Sequence, residues 1–250
     1  MDAKALRART TKLVPHIPFI VSWLRHNEHQ AGDLLVNVVR IPDRDANRAL
    51  DQILAAVDTY GDDLTNAQLR QLCGNFDAST WAKALLVVFQ NASPRIVTAK
   101  GFMMLLSASS KLKEDSSSSE VAMKFAPEID QLKISGREAL GEIAALIRDS
   151  SSDPTANALS LGPHFLLESV QPGPEVNAAS RIMYFFVVHA EAIFGKAATR
   201  SNYDALGARP RTTEDAFDAE SQFSARSNRS GRPPRDTPRM ADALAEAGFM

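Results

Sequence analysis

A single cysteine, Cys73, stands in the whole chain, so neither an internal disulfide nor a multi-cysteine zinc site can form. Its flanking apolar residues mark it as a small buried hydrophobe, not a nucleophile. Charge of one sign is not in excess. The 28 lysines and arginines face 30 acids, a formal charge of −2 that excludes a uniformly basic nucleic-acid binder. No apolar run is long enough for a membrane span; residues 13–24 come nearest and are interrupted by Pro15, His16 and Pro18. The first residues carry charge without a continuous apolar stretch and cleavage site, so no secretory signal is expected. The reading is a soluble chain outside the secretory route, with no membrane partner.

Catalytic signatures are missing as well. There is no phosphate-cradling glycine loop with lysine, no glycine-flanked nucleophilic serine and no helical His-Glu-x-x-His. His26, Glu28 and His29 form the one tight cluster of potential ligands. A metal site would need further ligands, and a solvated polar loop or helix end is the expected role. His164 and His189 read as packing residues beside apolar runs. No enzyme activity, metal or cofactor is expected.

What is present is helical period. With 44% hydrophobic residues, the 250-residue chain can bury a substantial core. Ala46, Ala49, Leu50, Ile53, Leu54, Val57 and Tyr60 recur three or four apart, with Asp43 or Asp45 as cap and Gly61 as stop. Thr65 to Gln68 fits a capping box, and Gly74 ends that short helix. Asp77 caps the next, with Trp81, Leu85, Val88 and Phe89 on one face until Pro94. A helix is predicted over 102–112. Another is predicted after a capping box at Ser135-Gly136-Arg137-Glu138, and a long apolar one over 174–194. Serine-rich breaks stand at 114–119 and 150–154. No stretch shows sustained strand alternation. The expected fold is all-α: a single helical core over 43–200, an N-terminal arm or first helices over 1–42, and a mobile Arg-rich tail over 201–250 with a short terminal helix near Thr237 and Pro238.

Charge placement matters more than its sum. Residues 1–12 hold Lys4, Arg7, Arg9 and Lys12 against Asp2, and residues 221–239 hold Arg226, Arg229, Arg232, Arg235 and Arg239 against Asp236. Both ends are basic, with the acids between them, and the tail arginines suit a solvated segment that keeps the chain soluble.

The run Leu69-Arg70-Gln71-Leu72-Cys73, then Phe76, Trp81, Leu85, Asn91, Pro94 and the pair Gly101-Phe102, resembles the coat proteins of flexuous filamentous plant RNA viruses (the potexvirus-like family). Lys124-Phe125-Ala126 followed by Asp130, and Pro174-Glu175-Val176-Asn177-Ala178-Ala179, continue the resemblance in order. Departures stand beside it. Glu128, Ile129 and Gln131 surround Asp130 where the family has aromatics, the serine loop before Lys124 is longer, and a proline-tryptophan element is missing.

The resemblance implies a helical domain that polymerises head-to-tail into an open filament and shelters single-stranded RNA without sequence specificity, in a virion and the host cytoplasm. It implies Arg70 as groove arginine, with Asp130 pairing or orienting it. Arg95, Lys100, Lys124 and the tail arginines are further candidate phosphate contacts. Phe19, Ile20, Trp23 and Leu24 would anchor an N-terminal arm on a neighbouring copy, or else belong to a first core helix. Two alternatives stand open: the nucleocapsid of a segmented negative-strand virus, and a non-viral helical adaptor.

Overall fold

Side-chain caps open five of the helices in the computed structural model, which describes residues 10–92, 95–168 and 170–195. A 3-10 turn, Val14–His16, leads into α1 (Ile17–Asn27), with Pro18 in its first turn, where a missing N–H is harmless. Next come α2 (Ala31–Asn37) and α3 (Arg44–Tyr60), the latter stopped by Gly61 at φ 53°. Helix α4 (Asn66–Cys73) begins with the complete capping box of Thr65 and Gln68. It ends at Gly74 in an ordinary right-handed conformation (φ −65°), so no left-handed glycine is needed there.

Helix α5 (Ala78–Asn91) is the first of two central rods, buried without interruption from Trp81 to Phe89. It takes shape from Asp77, whose carboxylate accepts hydrogen bonds from the Thr80 N–H at 2.7 Å and the Ser79 hydroxyl at 2.9 Å. Asp77→Ala is therefore expected to lower stability by about 1 kcal/mol, the usual loss for an N-cap, read from the denaturant midpoint. Trp81 fills the core beside Phe76, edge-on at 5.9 Å, and its indole N–H donates to the Cys73 carbonyl at 2.8 Å. That bond satisfies the one polar atom Trp81 brings into the core.

The rest of the chain forms α6 (Ala99–Ser109), α7 (Ser118–Ile129), α8 (Ile134–Asp149), α9 (Pro154–Leu166), α10 (Pro174–Val188) and α11 (Ala190–Phe194). Helix α8 is the second central rod, buried from Ala139 to Ile147. Helices α1, α2 and α9 pack on both rods and bridge them; α3 covers α5, while α10 and α11 cover α8. Helix α6 packs on α7 and α10, and α7 on α6 and α11. Among the described residues no strand occurs, so the all-α expectation holds.

Several borders differ from the sequence reading. Helix α6 starts and ends three residues before the predicted 102–112, because Thr98 caps it by accepting from the Gly101 N–H at 3.1 Å. Helix α8 starts at Ile134 with Lys133 at its cap, so Ser135 lies inside the first turn and forms no capping box. The serine run 114–119 is split, since Ser117 caps α7. The predicted helix over 174–194 breaks at His189 (φ −114°, ψ 26°). The reason is tertiary: the imidazole stacks on Phe185 and its Nδ1 meets the Ser118 hydroxyl at 2.9 Å, while α11 turns to pack on α7 and α8.

Phe19, Ile20, Trp23 and Leu24 belong to the first core helix. All four are buried, between 0 and 7% exposed, so they offer nothing to anchor on a neighbouring copy. The expected short terminal helix and mobile tail lie outside the described residues.

Candidate nucleic-acid interface

The inner faces of α6 and α7 are apolar, as their spacing requires: Phe102 and Leu105 on one, Val121, Phe125 and Ile129 on the other, all buried. Phe125 is the pin of this corner, with Phe186 and Phe185 edge-on to it at 5.5 and 6.0 Å. Beside that layer, residues of the two helices line a groove of about 230 Å³. Its apolar lining comes from Met104, Leu105, Ala108 and Pro127, and its polar lining from Ser107, Lys111, Lys124 and Glu128. Met103 and Met123 stand exposed on the same two helices, at 57 and 66%.

Three lysines gather here. Lys111 and Lys124 line the groove from opposite sides, and Lys100 on α6 lies close enough to Glu128 to act on its ionisation. All three are exposed. Glu128 is not: it is 6% exposed, and burial pushes its carboxyl above the usual range while Lys100 pulls the other way. The carboxylate lies directly against Gly101, where a Cβ would collide with it. Gly101 therefore serves close approach. A backbone without a side chain lets the acid sit on the α6 wall.

The other candidates are scattered. Arg70 is exposed on α4, whose main packing partners are α1 and α3 and not the helices of the groove. Asp130, expected to pair with Arg70, instead meets Arg137 at 3.4 Å, both ends well exposed. The partner that the resemblance implied gives way to Arg137, seven residues on across the break between α7 and α8. Arg95 is half-buried and faces Glu168; burial lowers its pKa, and one terminal guanidinium nitrogen is enclosed without a partner. Arg226, Arg229, Arg232 and Arg235 lie outside the described residues. Of the sequence candidates, Lys124 lines the groove and Lys100 stands near its Glu128.

Comparison with protein families, with characterised proteins and with solved structures finds no match to this chain.

Sequence reasoning missed Lys111 and Glu128. A signal existed for the second: Lys124 and Glu128 are four apart and share a face of α7. Lys111 follows α6 in a turn, and nothing local ties it to α7. Elsewhere the structure gives bland roles. Burial pushes the Cys73 thiol up to about 12, which suits packing and not nucleophilic work. The described residues hold no group of three or more metal-ligating side chains, and none of their helices is long and apolar enough to cross a membrane.

Proposed function

We propose that this chain is a nucleocapsid-type protein. It binds single-stranded RNA along the α6–α7 groove, coats it by self-association into an open helical filament, and catalyses no reaction. On this reading it belongs to a virion and the cytoplasm of an infected cell. The observation that carries it is the pair Lys111 and Lys124 lining one groove over an apolar floor, with Lys100 near enough to Glu128 to act on it.

An overall charge of −2 makes long-range attraction of RNA weak. Affinity must then come from local clusters that each displace condensed counterions from a phosphate. A rim of lysines over methionine and leucine matches a strand whose phosphates point outward and whose bases seek apolar cover. Sequence adds arginines at both ends of the chain, which supply further phosphate contacts without demanding a fixed geometry.

Electron microscopy of the full chain with single-stranded RNA, together with nuclease protection, tests the proposal. Filaments or rings that protect RNA are the expected result. Discrete particles without nucleic acid would turn the reading to a helical adaptor. Replacing Lys100, Lys111 and Lys124 together by alanine should reduce the slope of log affinity against log salt by about 2, at roughly 0.7 for each lost phosphate contact to a single strand. An unchanged slope would move the RNA elsewhere on the molecule.

A further inference from the structure

A carboxylate is the wrong group to bury in a phosphate-binding groove, and Glu128 is buried in this one. At 6% exposure it makes no hydrogen bond or close ion pair among the described residues. Its carboxylate oxygens are not enclosed like Oε2 of Glu142; they reach the groove, where a donor can take the place of water. Lys100 acts on it through space. The Cβ-less Gly101 is what allows the acid to occupy the α6 wall. Both features describe an acceptor held for something that donates.

Three kinds of donor can be weighed. A divalent cation needs several oxygen ligands, and here one carboxylate sits within reach of lysines that repel it. A second ammonium group meets the same repulsion. An RNA base meets none: its phosphates suit the lysines, its ring suits the Met104, Leu105 and Pro127 surfaces, and its Watson–Crick edge carries N–H donors. Guanine presents two adjacent donors, N1–H and the N2 amine, in the fork that a carboxylate accepts. Uracil presents one. The groove, at about 230 Å³, falls below the ~300 Å³ where pockets for drug-sized ligands begin, a scale suited to one base.

We infer that the α6–α7 groove reads one base of the bound strand, with the Glu128 carboxylate accepting from the N1–H and N2–H groups of a guanine while Lys111 and Lys124 hold the neighbouring phosphates. The inference rests on the RNA-binding reading above and adds to it a base preference at one position per subunit. Gly101 acts here as a positioning residue, through the acid it admits.

The test uses the full chain at pH 8 and three fluorescently labelled ten-nucleotide RNAs, read by anisotropy. One is decauridine, one carries a central guanosine, and one a central inosine, which keeps N1–H and lacks the N2 amine. Wild-type protein should bind the guanosine strand about tenfold more tightly than decauridine, in line with the discrimination of a bidentate pair, with inosine between them. Glu128→Gln should erase that difference while decauridine binds as well as before or better, since an anion has left the groove. Gly101→Ala, whose methyl displaces the carboxylate, should do the same, which separates lost base reading from lost folding. Equal wild-type affinity for all three strands, or a guanosine preference that survives in Glu128→Gln, overturns the inference and leaves RNA binding standing. Failure to bind any of the three overturns the RNA reading, and the base site with it.

Discussion

Arg25→Met is expected to cost the fold about 3–5 kcal/mol at pH 8 and much less at pH 5. Arg25 of α1 meets Glu142 of α8 at 3.6 Å, with both side chains about 10% exposed. A second guanidinium nitrogen donates to the Glu142 backbone carbonyl at 3.3 Å. The pair is poorly completed, because the Arg25 Nε and the Glu142 Oε2 are enclosed without hydrogen bonds. Burial accordingly wins over mutual attraction on both partners. The Arg25 pKa is lowered, and Glu142 is pushed up to about 7, with Glu138 and Asp149 adding to the rise. Removing the arginine strands a carboxylate in the interior, a large penalty that protonation relieves.

The sign for the wild type follows from linkage. A carboxyl that titrates near 4.5 unfolded and near 7 folded binds its proton more readily in the native state. Its contribution is favourable below about pH 4.5 and is lost as pH rises through about 7. His16, His164 and His189 work in the opposite direction. Burial lowers their pKa values, so their contribution is present above the ordinary histidine value and lost as pH falls below it. The clean measurement is thus the difference between wild type and Glu142→Gln, by urea denaturation from pH 5 to 8. That difference should favour glutamine progressively as pH rises; a flat difference would mean that Glu142 titrates normally. The same pair explains why α1 is no detachable arm. Pulling it away would open α8 and leave Glu142 alone.

The second large effect is at Gly162, where alanine is expected to destabilise by about 2 kcal/mol despite being the better helix former. A Cβ there would lie 2.5 Å from the Ala179 carbonyl oxygen and 2.8 Å from the Ser180 Cα, all backbone that no rotamer change can clear. Overpacking of that kind costs about 3 kcal/mol, and the gain in helix propensity over glycine is only about 1. The seam between α9 and α10 has a second device one residue on. Pro163 cannot donate to the Leu159 carbonyl, and the Ser180 hydroxyl does so instead at 2.6 Å across the helix pair. Ser180→Ala should therefore cost about 1–3 kcal/mol by leaving that acceptor buried and unpaired. Thermal melts of Gly162→Ala should fall by about 4–8 °C. An unchanged melting temperature would mean that α10 can retreat freely.

These seams show where local reading ran out. Helix α9 holds Gly162 and Pro163 side by side, a pair that by propensity argues against a helix, and the sequence reading assigned none there. Only contact with α10 supplies the reason for one residue and the repair for the other. Helix α2 was missed because its seven residues are too few to show a period. It is held from outside, by the Gly32 N–H donating to Ser150 at 3.0 Å and by Asp33 accepting from Ser152 and Asn157.

By itself the sequence determined what short-range physics can determine. The all-α class, the end of α3 at Gly61, the capping box of Thr65 and Gln68, and α5 from its Asp77 cap all depend on neighbours within one or two turns. Which residues share a groove was decided by the tertiary structure alone. Lys100, Lys111, Lys124 and Glu128 meet because Phe125 is pinned by Phe185 and Phe186, some sixty residues away. Asp130 turned to Arg137, and Phe19 to Leu24 turned inward, for the same reason. Burial and ion pairing are set by whatever the packed core brings alongside, and no local pattern carries that information.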